Sequence, residues 1–170
     1  MQKLSDFAPT IIVGITEQAD DCLFNTAIIL KQGQLVGRYA KQHLLKSEAH
    51  FTAGTEQPVF SINDTKFGIN ICYDSQFSNA ASMMVANGAK IILCPSNNML
   101  PALAAEKYRD LHNPCRAERA IEHQCWYISS DVTGERDGQV SYGPTAAINP
   151  HGELVAQIPL GETGMICVDI

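Results

Sequence analysis

Apolar and polar residues alternate along several short runs in the first half of the chain, which is the pattern of half-buried β-strands. The runs cover residues 10–15, 25–30, 35–40, 59–62 and 67–71. Polar and turn-forming residues separate run 25–30 from run 35–40, and they also separate run 59–62 from run 67–71. Each of these two pairs is therefore predicted to form a β-hairpin. The polar stretch 41–55 between the hairpins is predicted to be a loop.

A helical period follows the fifth strand. Apolar residues spaced three and four positions apart from Phe77 to Val85 predict a helix, with Asp74 or Ser75 as its N-cap. The nearly all-apolar run 89–94 predicts a strand that is buried on both faces. The fifth strand, this helix and this second strand are therefore predicted to form a strand–helix–strand unit.

The rest of the chain predicts further helices and strands. The helices cover residues 101–108 and 114–124, and Asn113 is the predicted N-cap of the second helix. The strands cover residues 126–130, 145–148, 153–158 and 165–170, and the middle two are predicted to form a hairpin. No low-complexity segment or flexible linker separates these elements.

The composition is that of a globular protein, because 45% of the 170 residues are hydrophobic and 18% are charged. This length allows one domain with a packed core. The formal net charge of −6 makes binding to a phosphate backbone a poor hypothesis. No apolar run approaches the length of a membrane span, and the first residues lack the apolar block of a signal peptide. We therefore expect a cytoplasmic protein with no nucleic-acid partner and no membrane partner.

The chain has six cysteines, and no two of them form a Cys-x-x-Cys pair. Without a secretion signal, reduced thiols are the expected state of these residues, and a disulfide framework is the alternative. The five histidines show no zinc-binding spacing. The sequence therefore predicts no metal and no cofactor.

Cys72 lies where the strand 67–71 meets the predicted helix. Alternation places it on the same face of the strand as Gly68 and Asn70. A thiol beside the positive end of a helix is favoured as the thiolate, which is the nucleophilic form. The alternative is a small buried side chain without a chemical role, which describes most cysteines.

Lys41 follows the third strand, on the same side of it as Leu35, Gly37 and Tyr39. The end of this strand could therefore aim an ammonium group into a site. The alternative is a surface lysine beside a loop, because lysine side chains are rarely buried.

Several short motifs, taken in order, resemble the carbon–nitrogen hydrolase (nitrilase) superfamily. They are Gly14-x-x-Glu17, Asn25-Thr26-Ala27, Arg38-Tyr39-x-Lys41-x-His43-Leu44, Gly54, Gly68-x-x-Ile71-Cys72-Tyr73-Asp74-x-x-Phe77, Gly88-Ala89, Arg116-Ala117-x-Arg119-Ala120-Ile121-Glu122 and Pro150-x-Gly152. The resemblance covers nearly the whole chain, and the ordered set is specific although each motif alone is weak. It implies one α/β domain over residues 1–170, an α-β-β-α sandwich of the nitrilase type that is truncated at its N-terminal end.

The resemblance also implies a Glu–Lys–Cys site. Cys72 matches the nucleophile, and Lys41 matches the catalytic lysine, whose charge lies beside the developing oxyanion. The backbone N–H of Tyr73 matches the second oxyanion donor, and Glu48 lies where many members carry a supporting glutamate. Asn97 follows a strand end and could line the substrate pocket, or it could belong to a polar turn.

Members of this superfamily act on nitriles, amides and N-carbamoyl compounds through a cysteine thioester. The resemblance therefore implies a small-molecule amide or nitrile as the partner. Members commonly dimerise through the helices after the cysteine and around residues 114–124, so a homo-oligomer is expected. Nothing in the sequence identifies the substrate.

The start of the chain departs from the family pattern. In the family, the general-base glutamate lies at the end of an early strand, whereas only 40 residues precede Lys41 and they match the segment just before the lysine. We therefore expect this base to be absent, and Glu17 matches a different family position. Two functions stay open: a carbon–nitrogen hydrolase with impaired turnover, or an inactive relic that acts as a binding or interaction protein. An α/β nucleotide-binding module is disfavoured, because no Gly-rich phosphate loop follows a strand.

Overall fold

The computed structural model describes residues 9–170. Within this range the strands are β1 (Ile11–Ala19), β2 (Cys22–Lys31), β3 (Gln34–Ala40), β4 (Phe60–Ile62), β5 (Thr65–Ile69), β6 (Ile91–Ser96), β7 (Leu100–Pro101), β8 (Trp126–Asp131), β9 (Thr133–Arg136), β10 (Gln139–Tyr142), β11 (Ala146–Ile148) and β12 (Leu154–Gln157). The helices are α1 (Asn79–Ala86), α2 (Ala102–Tyr108) and α3 (His112–His123). Short 3-10 turns cover Lys46–Glu48 and Cys72–Gln76.

Most of the strands belong to two sheets. β1, β2 and β3 form a three-stranded antiparallel sheet in that order. The six-stranded sheet has the order β12-β11-β8-β6-β5-β4, and its central strands β5, β6 and β8 are parallel. The connections between these parallel strands run through α1 and then through α2 and α3. A smaller sheet has the order β7-β10-β9.

The hydrophobic core lies on both faces of the six-stranded sheet. Side chains of the two large sheets meet in one buried cluster that includes Ala27, Ile29, Tyr39, Phe67 and Ile69. Met84 of α1 and Ala120 of α3 belong to the same cluster. Gly68 of β5 is needed for this packing, because an added Cβ would collide with the sulfur of Met84. The result is a layer of helices on a sheet-on-sheet sandwich.

The main elements predicted from the sequence are confirmed. β2 and β3, β4 and β5, and β11 and β12 are antiparallel neighbours, as the three predicted hairpins require. The predicted strand–helix–strand unit is β5–α1–β6, with its two strands parallel. The predicted loop 41–55 contains only the short turn Lys46–Glu48.

Both predicted N-caps are wrong. Neither Asp74 nor Ser75 caps α1, which begins at Asn79 after the turn Cys72–Gln76. The carboxylate of Asp74 accepts the Ile71 backbone N–H at 3.0 Å instead, at the start of the 3-10 turn. Asn113 lies inside the first turn of α3, and its side chain donates to Gln157 at 2.6 Å.

The predicted strand 165–170 is also wrong, because this segment pairs with no strand in the described part of the chain. Met165 is 91% exposed and Ile170 is 59% exposed, and the other apolar residues of this segment are exposed or only partly buried. Within residues 9–170, no helix combines the length and apolar character needed to cross a membrane.

Candidate active site

Lys41 is buried at the end of β3, with only 2% of its surface exposed. Its backbone N–H donates to the Asn25 carbonyl at 2.8 Å, which continues the pairing of β3 with β2. The side-chain Nζ donates to both carboxylate oxygens of Glu48, at 2.6 and 2.8 Å. Lys41 is therefore not the surface lysine that the sequence left open, and the structure brings it together with Glu48.

Glu48 is held as the counter-charge of Lys41. Its carboxylate also accepts the backbone N–H of Leu45 at 2.8 Å and the side-chain amide of Asn25 at 3.0 Å. Burial acts to raise the pKa of Glu48, but these hydrogen bonds and the Lys41 charge outweigh it, so the pKa is lowered. The carboxylate therefore stays ionised, and its lone pairs are already engaged.

Cys72 occupies a sharp turn just after β5. Its backbone has φ of 46°, in the left-handed region that residues other than glycine rarely adopt. The residue opens the 3-10 turn Cys72–Gln76, so the chain reverses from strand to turn at the thiol itself. Strained backbone of this kind is concentrated at functional sites, where it presents a side chain.

The electrostatic environment of Cys72 keeps the thiol protonated at neutral pH. Burial raises its pKa to about 11, and the neighbouring Cys94 and Asp131 act in the same direction. The Lys41 charge and the Asn97 backbone N–H lower the pKa but do not offset burial. The expectation that the helix start favours the thiolate is therefore wrong for the resting site, because desolvation outweighs the short 3-10 turn.

Asn98 is the asparagine whose side chain reaches the thiol. The Cys72 Sγ donates to Asn98 Oδ1 at 3.2 Å. The side chain of Asn97 is exposed, and its oxygen accepts the Met99 backbone N–H at 3.3 Å. Adjacent asparagines after a strand gave no sequence signal that distinguished them, and the role of Asn97 in a pocket stays a prediction.

Tyr73 follows the nucleophile candidate directly, so its backbone N–H lies beside the thiol-bearing residue. Its ring packs edge-on against Phe77, with 5.1 Å between ring centroids and an interplanar angle of 87°. This contact anchors the residue after Cys72. The role of the Tyr73 N–H as an oxyanion donor stays a prediction.

Asp74 joins the lysine segment to the cysteine segment, a role that sequence reasoning missed. Its fully buried carboxylate accepts the Tyr39 hydroxyl at 2.9 Å and the His43 backbone N–H at 2.8 Å. The same carboxylate accepts the backbone N–H of Gln42 at 3.2 Å and that of Ile71 at 3.0 Å. One side chain thus fixes the backbone on both sides of the site. No pattern in the sequence pointed to these long-range bonds.

A metal site is not part of this arrangement. Across residues 9–170, no three His, Cys, Asp or Glu side chains come together in a group that could hold a metal ion. All six cysteines are free, and Cys22 and Cys167 are exposed.

Known proteins match the chain along most of its length. Residues 1–170 match the family model described as carbon-nitrogen hydrolase. The chain is 27% identical over 158 residues to a nitrilase of Pyrococcus abyssi, covering 92% of this chain and 57% of the relative. It is 28% identical over 149 residues to the 2-oxoglutaramate amidase of Bacillus subtilis, covering 85% of this chain and 54% of the relative. The structure of a carbon-nitrogen hydrolase from Helicobacter pylori G27 superposes with a TM-score of 0.83 at 20% identity, over 92% of this chain and 60% of that chain.

The chain therefore belongs to the carbon-nitrogen hydrolase family, and its α/β fold is of the nitrilase type. Both the family and the fold class predicted from the motifs are confirmed. The chain spans a little over half the length of the two curated relatives, 57% of one and 54% of the other.

Proposed function

We propose that this chain carries a carbon–nitrogen hydrolase site that cleaves a small amide through a thioester on Cys72. The observation that carries the proposal is a buried lysine, bound by Glu48, whose charge lowers the pKa of the Cys72 thiol. Burying an ammonium group costs desolvation even when it is paired, so stability alone is a weak reason to place one there. A fixed ammonium whose charge acts on a thiol is suited to acyl transfer, because it can stabilise the thiolate and the oxyanion that forms on the substrate.

The proposed chemistry uses three groups: the Cys72 sulfur, the Lys41 ammonium and the Tyr73 backbone N–H. In this proposal the Cys72 thiolate attacks the amide carbonyl carbon, and the carbonyl oxygen becomes an oxyanion. The Lys41 ammonium and the Tyr73 backbone N–H stabilise that oxyanion, while Glu48 holds the lysine in place. The carbon–nitrogen bond breaks, and the leaving nitrogen takes the proton from the thiol. Water then hydrolyses the thioester to a carboxylic acid and restores the thiol.

Proton transfer is the step that we propose to be slow. The Cys72 thiol has a pKa of about 11, so a base must take its proton at neutral pH. Glu48 already accepts from Lys41, Leu45 and Asn25. Asp74 and Asp131 likewise accept several hydrogen bonds each. Without a positioned base, we expect turnover at this site to be lower by a factor on the order of 10²–10⁴.

The substrate class that we propose is a small primary amide, with nitriles and N-carbamoyl compounds as competing candidates. The relative from Bacillus subtilis is a 2-oxoglutaramate amidase, which makes this amide a reasonable first substrate to test. A deprotonated thiol adds to amide and nitrile carbons alike, so the chemistry of Cys72 does not separate these classes.

We also propose that the protein self-associates in a reducing compartment. Exposed apolar side chains on and beside the helices support a homo-oligomer: Met83 is 58% exposed, Leu111 52% and Ile121 50%. Six free cysteines, two of them exposed, support a cytoplasmic location. Light scattering after size-exclusion chromatography measures the oligomeric state, and a monomer at micromolar concentration would contradict self-association.

Ammonia release and acylation of Cys72 test the proposed activity. The protein is incubated with 2-oxoglutaramate, an N-carbamoyl amino acid or an aliphatic nitrile. Ammonia is measured in solution, and the acyl group on Cys72 is measured by mass spectrometry of the intact and digested chain. We expect slow release of ammonia with at least one substrate, together with an acyl adduct on Cys72.

Cys115 provides the matched control for the nucleophile. It is partly buried like Cys72, and its Sγ donates to the Ser75 carbonyl at 3.3 Å. Cys72→Ala should abolish both signals, whereas Cys115→Ala should retain them. If the unaltered protein gives neither ammonia nor an adduct with any substrate, the proposal fails and the non-catalytic binding protein is favoured.

A further inference from the structure

Asn98 lies between the thiol and a buried ion pair. Its side-chain oxygen accepts the hydrogen bond from Cys72. Its backbone N–H donates to Asp131 at 3.1 Å, and its side-chain Nδ2 donates to the other oxygen of the same carboxylate. The Asp131 side chain has no exposed surface and lies 3.5 Å from the guanidinium of Arg116, which is itself buried. A continuous polar chain therefore runs from Arg116 through Asp131 and Asn98 to the sulfur.

This polar chain determines which end of the Asn98 amide faces the thiol. An ionised carboxylate can only accept hydrogen bonds, so the Nδ2 group must face Asp131 and the Oδ1 atom must face Cys72. Arg116 is held in turn by the Ser129 hydroxyl at 2.9 Å and the Pro144 carbonyl at 2.7 Å. Arg116, the ion-pair partner of Asp131, is thus fixed by bonds to β8 and to the segment that precedes β11.

We propose that Asn98 is a positioning residue that holds Cys72 as a neutral, oriented thiol in the resting site. An amide oxygen accepts a hydrogen bond from a thiol, but it repels a thiolate. Because Asp131 keeps the amide from turning its NH₂ group to the sulfur, a newly formed thiolate is driven away from Asn98 and toward the Lys41 charge. The inference depends on the proposed function only in treating Cys72 as the nucleophile.

Other charged and titratable groups face the same thiol from neighbouring elements. Lys41 at the end of β3 and the Asn97 backbone N–H after β6 favour the thiolate. Cys94 on β6 and Asp131 on β8 oppose it. A substitution of the Asn98 side chain leaves these groups in the chain, so a change in thiol acidity reports on the amide.

The reactivity of Cys72 toward iodoacetamide tests the inference without any substrate. In Asn98→Ala the acceptor is lost and water can enter to solvate the thiolate. We expect the thiol pKa to fall by about one unit, since one hydrogen bond is worth about that much. The alkylation rate of Cys72 between pH 7 and 9 should then rise about tenfold. Rates are measured for each cysteine separately by mass spectrometry.

Asn87→Ala is the matched control, because it removes the same side chain from an exposed position at the end of α1, outside the candidate site. Its Cys72 alkylation rate should change less than twofold. The buried thiols Cys94 and Cys125 report on folding in the same experiment, since they stay unlabelled in a folded chain.

A second variant covers the case in which Asn98→Ala does not fold. Asn98→Ser keeps a small polar group that can donate to either Asp131 or the thiolate, so it should also accelerate alkylation of Cys72. A folded variant of either kind whose alkylation rate is unchanged or slower would overturn the inference. Failure to detect amide hydrolysis would not, because thiol acidity is measured independently of turnover.

Discussion

The two ends of the candidate site are both at least partly buried, but one end holds a charged group and the other holds a neutral one. At the cation end (Lys41 and Glu48), a lysine with 2% exposure contacts both oxygens of a carboxylate. At the thiol end (Cys72, Asn98 and Asp131), the sulfur faces an amide oxygen with a carboxylate behind it. Burial alone therefore does not decide whether a group is ionised, because the partner that burial supplies has the larger influence on each side.

Under the proposed function, this contrast suits a site prepared for the transition state more than for the resting state. The cation is in place before any negative charge develops on a substrate oxygen, which is the preorganisation that lowers a barrier. The thiol is neutral, so it is a weak nucleophile and resists oxidation until its proton is removed. The thiol end is thus unreactive until it loses its proton, whereas the cation end is charged at all times.

The largest expected effect comes from removing the cation with Lys41→Met. The rate of acyl-adduct formation on Cys72 should fall on the order of 10²–10³-fold, because one of the two proposed oxyanion partners is lost. The free energy of unfolding should fall by about 3 kcal/mol, because Glu48 is left partly buried without a counter-charge. Mass spectrometry measures the first effect, and urea unfolding measures the second.

A double substitution separates these two effects. Lys41→Met combined with Glu48→Gln removes the stranded charge, so stability should largely recover while the acylation rate stays low. Lys31→Met, at the exposed end of β2, serves as the surface control and should change neither quantity. If Lys41→Met leaves the free energy of unfolding unchanged, the Lys41–Glu48 ion pair does not contribute to stability and this interpretation is wrong.

The next effect is expected on stability alone, when the link between the two ends is altered by Asp74→Asn. Whichever oxygen is replaced, the new NH₂ group would face a backbone N–H, that of His43 or that of Ile71, which cannot accept a hydrogen bond. We expect a loss of about 3 kcal/mol in urea unfolding, against about 1 kcal/mol for Tyr39→Phe, which deletes a single bond. Asp64→Asn in the exposed turn before β5 is the control. Equal stability of Asp74→Asn and Asp64→Asn would contradict the linking role.

The smallest expected effect is a pH dependence that belongs to the cation end. The folded pKa of Glu48 lies below its unfolded value, which is about 4.3 for a free glutamate. Its contribution to stability is therefore complete above the unfolded pKa and is lost as pH falls through the folded pKa. Urea unfolding from pH 3 to pH 7 should show a steeper acid loss for the unaltered chain than for Glu48→Gln. Parallel curves would exclude Glu48 as the source.

The sequence predicted the parts of the fold that depend on local pattern. Period-two runs and turn residues identified the three hairpins, and the apolar run 89–94 identified the central strand β6. The N-caps failed because Asp74 is used by a distant part of the chain, not by the following helix. The prediction of a strand at 165–170 was wrong because an alternating pattern shows only that a segment is able to pair. It does not show that a partner strand is present.

The same holds for the candidate site: local pattern predicted the positions of some residues, and long-range contacts decide the rest. Strand ends placed Lys41 and Cys72 at junctions, and the motifs placed Glu48 near the lysine. The ionisation state of the thiol could not be read from the chain, because desolvation depends on side chains that arrive from several strands. Asn98 was missed because the choice between adjacent asparagines depends on the path of an irregular segment after β6.

The bonds of Asp74 also have a consequence for the order in which the chain folds. Its partners Tyr39 and His43 lie 35 and 31 residues away in sequence, so these contacts form only when the two large sheets dock. Closing such long loops is costly in entropy and belongs to the slower events of folding. We expect lysine and cysteine to meet in one late cooperative step, so that a half-formed or misdocked molecule carries only an ordinary, unaligned thiol.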